Sequence, residues 1–379
     1  MKLYLLLFSL LSLGYTSNST KTGKENKKSE IIEGFRFATH ALEDFTLFKE
    51  GHIIPLETND DSFIRKISRI YKTNDEIFIL DKTLNKLSVF DIHGNYQHKI
   101  ENIGHGPHEY ISLMDFCLDT ERKEVLLLCD RPYKIMRFKY DGQFVDEIKN
   151  TDLFRNIVMD EGHIYCNRIE SDKSDLNEYE IYCMSNDGES YGNILKRRDN
   201  IANKVHHVGS FLNRSMHTYY TRRFDNKVYR ITKGELTERY MFDFGKFNVP
   251  EHLSQEQDFK KFERECKEKK YIYSITEFIE NEKYIMFLTN QAICLYDKSK
   301  STFTGYQTIK NTEFKIESNS FLANGNDDNS IFITNNPAIL YMLKHYIYIS
   351  PQINRAVKNK SYFYNCYGKE EKYYIKNQG

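Results

Sequence analysis

Along most of the chain, short apolar runs alternate with polar corners. Residues Ile77 to Ile100 read "IFILDKTLNKLSVFDIHGNYQHKI": an apolar run, a polar loop, a second apolar run, a tight His-Gly corner and a third run. Val125 to Ile148, "VLLLCDRPYKIMRFKYDGQFVDEI", repeats the pattern without a gap 48 positions later. Ile79 aligns with Leu127, Lys86 with Lys134, Phe90 with Phe138, Gly94 with Gly142 and Ile100 with Ile148. The glycine carries the turn, because it reaches positive φ without a Cβ penalty and so closes a hairpin. Runs of roughly four to eight residues rich in β-branched and aromatic side chains, bounded by such corners, predict strands.

Weaker copies follow. "HIYCNRIE…YEIYCMSNDGESYGNIL" keeps an Asp187-Gly188 corner, and "HTYYTRRFDNKVYRITKGELTERYMFDF" keeps it as Lys233-Gly234. "KYIMFLTNQAICLYDKSKSTFTGYQTI" replaces the glycine corner with Asp297 to Lys300, and "NSIFITNNPAILYML" is a shorter sixth copy. Three or four antiparallel strands recurring every forty to fifty residues or so mark the blades of a β-propeller. Pro250 to Lys270 breaks the pattern: it is helical by propensity, with Phe259 and Phe262 on one face. With that segment and its flanks set aside, six to seven blades fit the chain. The expected fold is all-β, a six-bladed propeller with a short helical insertion near 250–270.

Particular residues support this count. Pro55-Leu56-Glu57, the blade from Ile77 to Gly94, and "GHGPHEY" at Gly104 to Tyr110 occur in that order, followed by "YYTRRFDNKVYRI" and "FDFG" at Phe242 to Gly245. In these motifs, over roughly residues 31 to 345, the chain resembles the six-bladed β-propeller proteins of Bacteroides and relatives. That family is largely uncharacterised, and the resemblance brings no established catalytic residues with it. Many of its members are exported lipoproteins. This chain departs from them, because Tyr15 stands where an acylated cysteine would.

The N-terminus supports export on its own terms. Lys2 precedes an apolar run from Leu3 to Leu13, too short to span a bilayer but suited to a signal-peptide core. Ser12 and Gly14 place small residues before a cut at Tyr15. We therefore expect a signal peptide over 1–14, a polar linker over 15–30 and a single propeller domain over 31–379. The protein would reside in the periplasm or at the cell surface, with a lipid anchor doubtful and no transmembrane segment. Cys117, Cys129, Cys166, Cys183 and Cys294 sit inside apolar runs, where cysteine behaves as a small buried hydrophobe, so the fold should not depend on disulfides.

Charge excludes some partners. Lys+Arg and Asp+Glu balance at 54 each, and no basic stripe with interleaved aromatics suits nucleic acid. No P-loop, nucleophile elbow, zincin helix or dinucleotide fingerprint is present, and no cofactor is expected.

Candidate chemistry gathers on one face. In a blade whose strands run a to d from the channel outward, the b–c loops and the d–a connections emerge together, and loops from every blade converge there. "GHGPHEY" is such a d–a connection and offers His105, His108, Glu109 and Tyr110. As a structural corner, its glycines should matter for stability and its histidines should not. A His-x-x-His-Glu spacing on a loop fixes no ligand geometry, so no metal is expected there. The b–c loops add Asn85, then Arg131, Tyr133 and Lys134, and later Arg222 and Arg223. The pair His206-His207 lies in another d–a connection. Arginine beside tyrosine suits carboxylates, sulfates or sugar rings. These residues lead us to expect a binding propeller for a protein or glycan. The rival is a propeller hydrolase or lyase acting on peptides or sugars, using carboxylates brought together from different blades.

Overall fold

The repeated hairpins fold as expected. In the computed structural model, blade one consists of Arg69–Lys72, Glu76–Asp81, Lys86–Asp91 and Tyr96–Ile100, hydrogen-bonded in that order. Blade two repeats it with Ser112–Asp119, Glu124–Arg131, Tyr133–Lys139 and Phe144–Lys149. The register is also repeated: Leu80 faces Leu87 in one blade, and the aligned Leu128 faces Ile135 in the next. At the c–d corners, Gly94, Gly142, Gly188 and Gly234 have φ of 88°, 88°, 87° and 76°, the left-handed region glycine enters freely.

The structure describes residues 29–43, 50–150, 152–168, 178–197, 211–256, 258–311, 316–323, 330–336 and 339–344. The expected signal peptide, linker residues 15–28, the His206-His207 pair and Cys366 lie outside them.

Blades three to five place their innermost strands at Phe154–Asp160, Leu212–Arg214 and Ile275–Glu280, and blade six starts at Leu322–Ala323. These strands adjoin one another in a ring around the channel. Blade six is composite. Its outermost strand, Glu50–Pro55, comes from the opposite end of the chain and pairs antiparallel with Ile339–Lys344. This joint closes the circle and leaves six blades.

Ahead of that joint, the chain runs as a strap across blades four and five and the short strand that follows them. Glu30–Ile32 adds in parallel to Glu235–Phe242, Arg36–Phe37 to Thr302–Tyr306, and Leu42–Glu43 to Ile309–Asn311. Glu30, the last residue of the expected linker, therefore already belongs to a strand. Phe35 anchors the strap, packing against Phe37, Phe244, Phe247 and Phe303 with ring centroids 4.9–5.8 Å apart. Gly305 makes room for it, since a Cβ there would stand 2.7 Å from the Phe35 ring.

The core lies between blades, where strands buried on both faces contribute near-continuous apolar runs. Tyr110, Phe116, Leu127, Met136 and Phe138 share one such cluster. The cysteines Cys117, Cys129, Cys166, Cys183, Cys266 and Cys294 are all free and buried. Burial raises the thiol pKa of each.

The insertion near 250–270 forms two helices, Glu251–Ser254 and Phe259–Lys269. The Asp258 carboxylate caps the longer one by accepting from Lys260 N and Lys261 N. Phe262 is buried and stacks edge-on to Phe224 and Tyr273, while Phe259 packs beside it. Phe224 belongs to the b–c loop of blade four, and its N–H donates to Tyr273 O at 2.8 Å. The helices thus sit on the face where the b–c loops emerge and hold one of those loops in place. No helix among the described residues is long and apolar enough to cross a membrane.

Candidate functional site

The loop at 101–110 follows the seam between blades one and two. Tyr110 is fully buried, and its hydroxyl donates to Asn85 O at 2.8 Å and Ile100 O at 3.3 Å. Burial raises its pKa well above the usual phenol value. Asn85, from the b–c loop, in turn accepts from Leu113 N through its side chain at 3.1 Å. The d–a and b–c connections therefore meet on one face, and Tyr110 is the wedge that joins them.

Glu109 turns inward within the loop. Its Oε2 accepts from Gly106 N at 2.6 Å and lies over Gly104, where a Cβ would come within 2.0 Å of it. The glycine with no room to spare is Gly104; a Cβ on Gly106 would stand 3.0 Å from the same flexible carboxylate. The two histidines also differ. His105 is exposed. His108 holds φ of 61°, lies 4.1 Å ring to ring from Phe144 and points Nδ1 at Glu147 Oε2, 3.9 Å away. Its ring thus rests on Phe144, although the side chain, like that of His105, is exposed.

The b–c corner of blade two is tight, built around a cis Arg131-Pro132 bond. Arg131 and Tyr133 are exposed on it. Lys134 instead turns in, buried, and donates to Glu147 Oε2 at 2.7 Å. These residues and the seam loop form one group at blades one and two.

Arg222 and Arg223 belong to a second group. Between blades three and four lies a recess lined by Arg155, Asn167, Arg168, Glu180, Phe211, Tyr220, Arg222 and Arg223. It is narrow, about 10 Å³, room for a single water or the tip of an oxyanion. Arg222 is fixed in its wall: Nε donates to Asp225 Oδ2 at 2.8 Å, Nη1 to Glu180 Oε1 at 3.3 Å and Nη2 to Tyr229 OH at 3.2 Å. Burial alone would lower its pKa, but Asp225 and Glu180 outweigh that and raise it. Arg168 donates to Asp152 Oδ2 at 3.0 and 3.1 Å and lies over the rings of Phe154 and Tyr182. Arg223 lies over Phe211, 5.9 Å from the ring centre. Against these four guanidinium groups stand the carboxylates of Asp152, Glu180 and Asp225, among the described residues.

Arg155 and Arg168 were not foreseen from the sequence. They stand at the ends of strands Phe154–Asp160 and His163–Arg168 that open on the loop face, and only the direction of those strands places them beside Arg223. Among the described residues, no group of three or more His, Cys, Asp and Glu side chains is arranged to hold a metal.

Comparison with known proteins agrees with the fold. The family model "Domain of unknown function (DUF4934)" matches residues 39–362. The chain belongs to this family. A Bacteroides fragilis protein described as exported aligns with a TM-score of 0.65 at 18% identity, covering 80% of this chain and 87% of its own. A DUF4221-family protein of Bacteroides vulgatus aligns at 0.43 with 10% identity, covering 79% of this chain and 96% of its own. A streptogramin B lyase aligns at 0.42 with 15% identity, covering 78% and 87%. At 18% identity, the likeness to the Bacteroides fragilis protein shows the fold alone. No curated protein matches the DUF4934 chain in sequence.

Proposed function

We propose that this DUF4934 protein is an exported binding propeller that recognises an anionic glycan or protein at its loop face. The observation that carries the reading is the meeting of Arg155, Arg168, Arg222 and Arg223 in one recess between two blades. Guanidinium groups bind carboxylates and sulfates in a planar, two-point manner, and nearby aromatic faces hold them in position. The narrow recess suits an acidic group presented by a larger ligand rather than an engulfed small molecule. Export is supported by the signal-like run from Leu3 to Leu13 and by the exported Bacteroides fragilis relative.

The test is thermal shift of the purified protein with acidic and neutral glycans and peptides. Acidic ligands should raise Tm and neutral ones should not. Arg155→Ala and Arg223→Ala should each abolish the rise, read against each variant's own unliganded Tm, since Arg223 is buried and its loss also lowers stability. A rise that persists in both variants would sink the recess as the site. New reducing ends or cleaved peptide in the same mixtures would favour the hydrolase or lyase instead.

A further inference from the structure

The mouth of the central channel, next to that recess, carries charge of its own. Arg69 heads the innermost strand of blade one and is buried. Its Nη2 donates to Tyr71 OH at 3.2 Å, but its Nε lies 3.8 Å from Asp115 Oδ1 and has no hydrogen-bond acceptor. A buried donor left in that state is destabilising unless an acceptor arrives. Asp115 is already engaged, accepting from Asn156 Nδ2 at 3.0 Å and Ile157 N at 3.2 Å. Glu277 accepts from Ala323 N at 3.2 Å.

Lys82 follows in the b–c loop of blade one, where its N–H donates to Ser68 Oγ at 3.3 Å beside Arg69 and its side chain is exposed. Desolvation by the surrounding protein lowers its pKa; Asp115 and Glu277 oppose the shift, whereas Arg69 and Arg155 add to it. It forms no ion pair among the described residues. Arg155 lines the recess, and the residues that follow it, Asn156 and Ile157, hold Asp115, which faces Arg69, so the two basic places adjoin.

We infer that the channel mouth is a second anion subsite, with Lys82 at its surface and Arg69 beneath, and that the ligand is a glycan carrying repeated acidic groups. The inference rests on the recess reading above: one acidic group of the ligand meets the recess and another meets Lys82. A glycan fits better than a protein, because no large exposed apolar side chain lines the recess among the described residues. On this face, the exposed Ile103 and Tyr133 lie on the connection after blade one and on the b–c corner of blade two. Protein interfaces are anchored by buried aromatic or apolar residues at their centre.

Calorimetric titration tests this with four probes: galacturonic acid, its tetramer, a heparin tetrasaccharide and a tetra-aspartate peptide. An acidic tetrasaccharide should bind about ten-fold or more tighter than the monomer, the gain expected when a second contact becomes intramolecular. Which tetrasaccharide binds tells carboxylate from sulfate. Lys82→Ala should remove that gain and leave monomer affinity within about two-fold, while Lys82→Arg restores it and Arg223→Ala weakens every acidic probe. Unchanged tetrasaccharide affinity in Lys82→Ala would overturn the second subsite and leave the recess standing. If no acidic probe bound the unaltered protein, the recess reading would fall and the inference with it. Tetra-aspartate binding as tightly as the sugars would overturn the glycan assignment.

Discussion

Gly104 and Gly106 stand two residues apart in the same loop, yet the same methyl group would meet different surroundings at each. On Gly104 it would fall 2.0 Å from Glu109 Oε2, displacing the carboxylate from Gly106 N. On Gly106 it would touch only the tip of that side chain, at 3.0 Å. Gly104→Ala should therefore cost about 1–2 kcal/mol in chemical denaturation and Gly106→Ala less than about 0.5. Equal losses would mean that Glu109 does not hold the corner. Glu280 makes a similar point with charge. It is buried and accepts from Tyr219 OH, from Tyr240 OH at 2.5 Å and from Lys298 Nζ at 2.5 Å. Burial pushes its pKa up, but Lys298 and the two hydroxyls outweigh it and hold it below the usual carboxylate value. A depressed folded pKa means the stabilisation is present above the unfolded value, near 4.5, and is lost as pH falls through the folded one. Glu280→Gln should thus cost about 2–4 kcal/mol at neutral pH. Melting curves across pH should show the gap closing below about pH 4.

At the scale of elements, the strap behaves as an added edge rather than as part of the repeat. Its strands of two or three residues pair in parallel with the outer strands of blades four and five and with the short strand after blade five, so Phe35 carries much of its attachment. Phe35→Ala should cost about 2 kcal/mol, because the ring is only partly buried. The variant should also be cut in the strap by a protease before the blades melt. Simultaneous loss of strap and blades would show them to be one cooperative unit. The strap was hidden in the sequence for a physical reason: two or three paired residues leave no period to detect. The blades were legible because each c–d glycine must reach positive φ and each strand pair must keep one register. The helices were legible too, from Phe259 and Phe262 on one face. Of the candidate site, Arg222 and Arg223 were visible as a loop pair. Arg155 and Arg168 were not, since each is a single polar residue at the end of an apolar run.

For the whole molecule, the decisive joint is where strand Glu50–Pro55 meets Ile339–Lys344. The closing strand Glu50–Pro55 ends against blade one: a Cβ on Gly94 would lie 2.0 Å from Pro55 O, and Gly94 O accepts from Glu57 N at 2.8 Å. Gly142 has the same φ of 88°, but a Cβ there would meet side chains alone, the His98 ring at 3.2 Å and Ile100 at 3.9 Å. The pair separates backbone strain from closure. Both alanine variants carry the strain of a left-handed residue, about 1 kcal/mol. Gly94→Ala must also push apart two backbones, one of which completes the ring, and a rigid carbonyl cannot yield as an imidazole can. Gly94→Ala should therefore cost about 2 kcal/mol more than Gly142→Ala and broaden the melting transition as blade six loosens first. Equal costs in differential scanning calorimetry would show that Gly94 contributes only its φ, and that the ring closes without support from that contact.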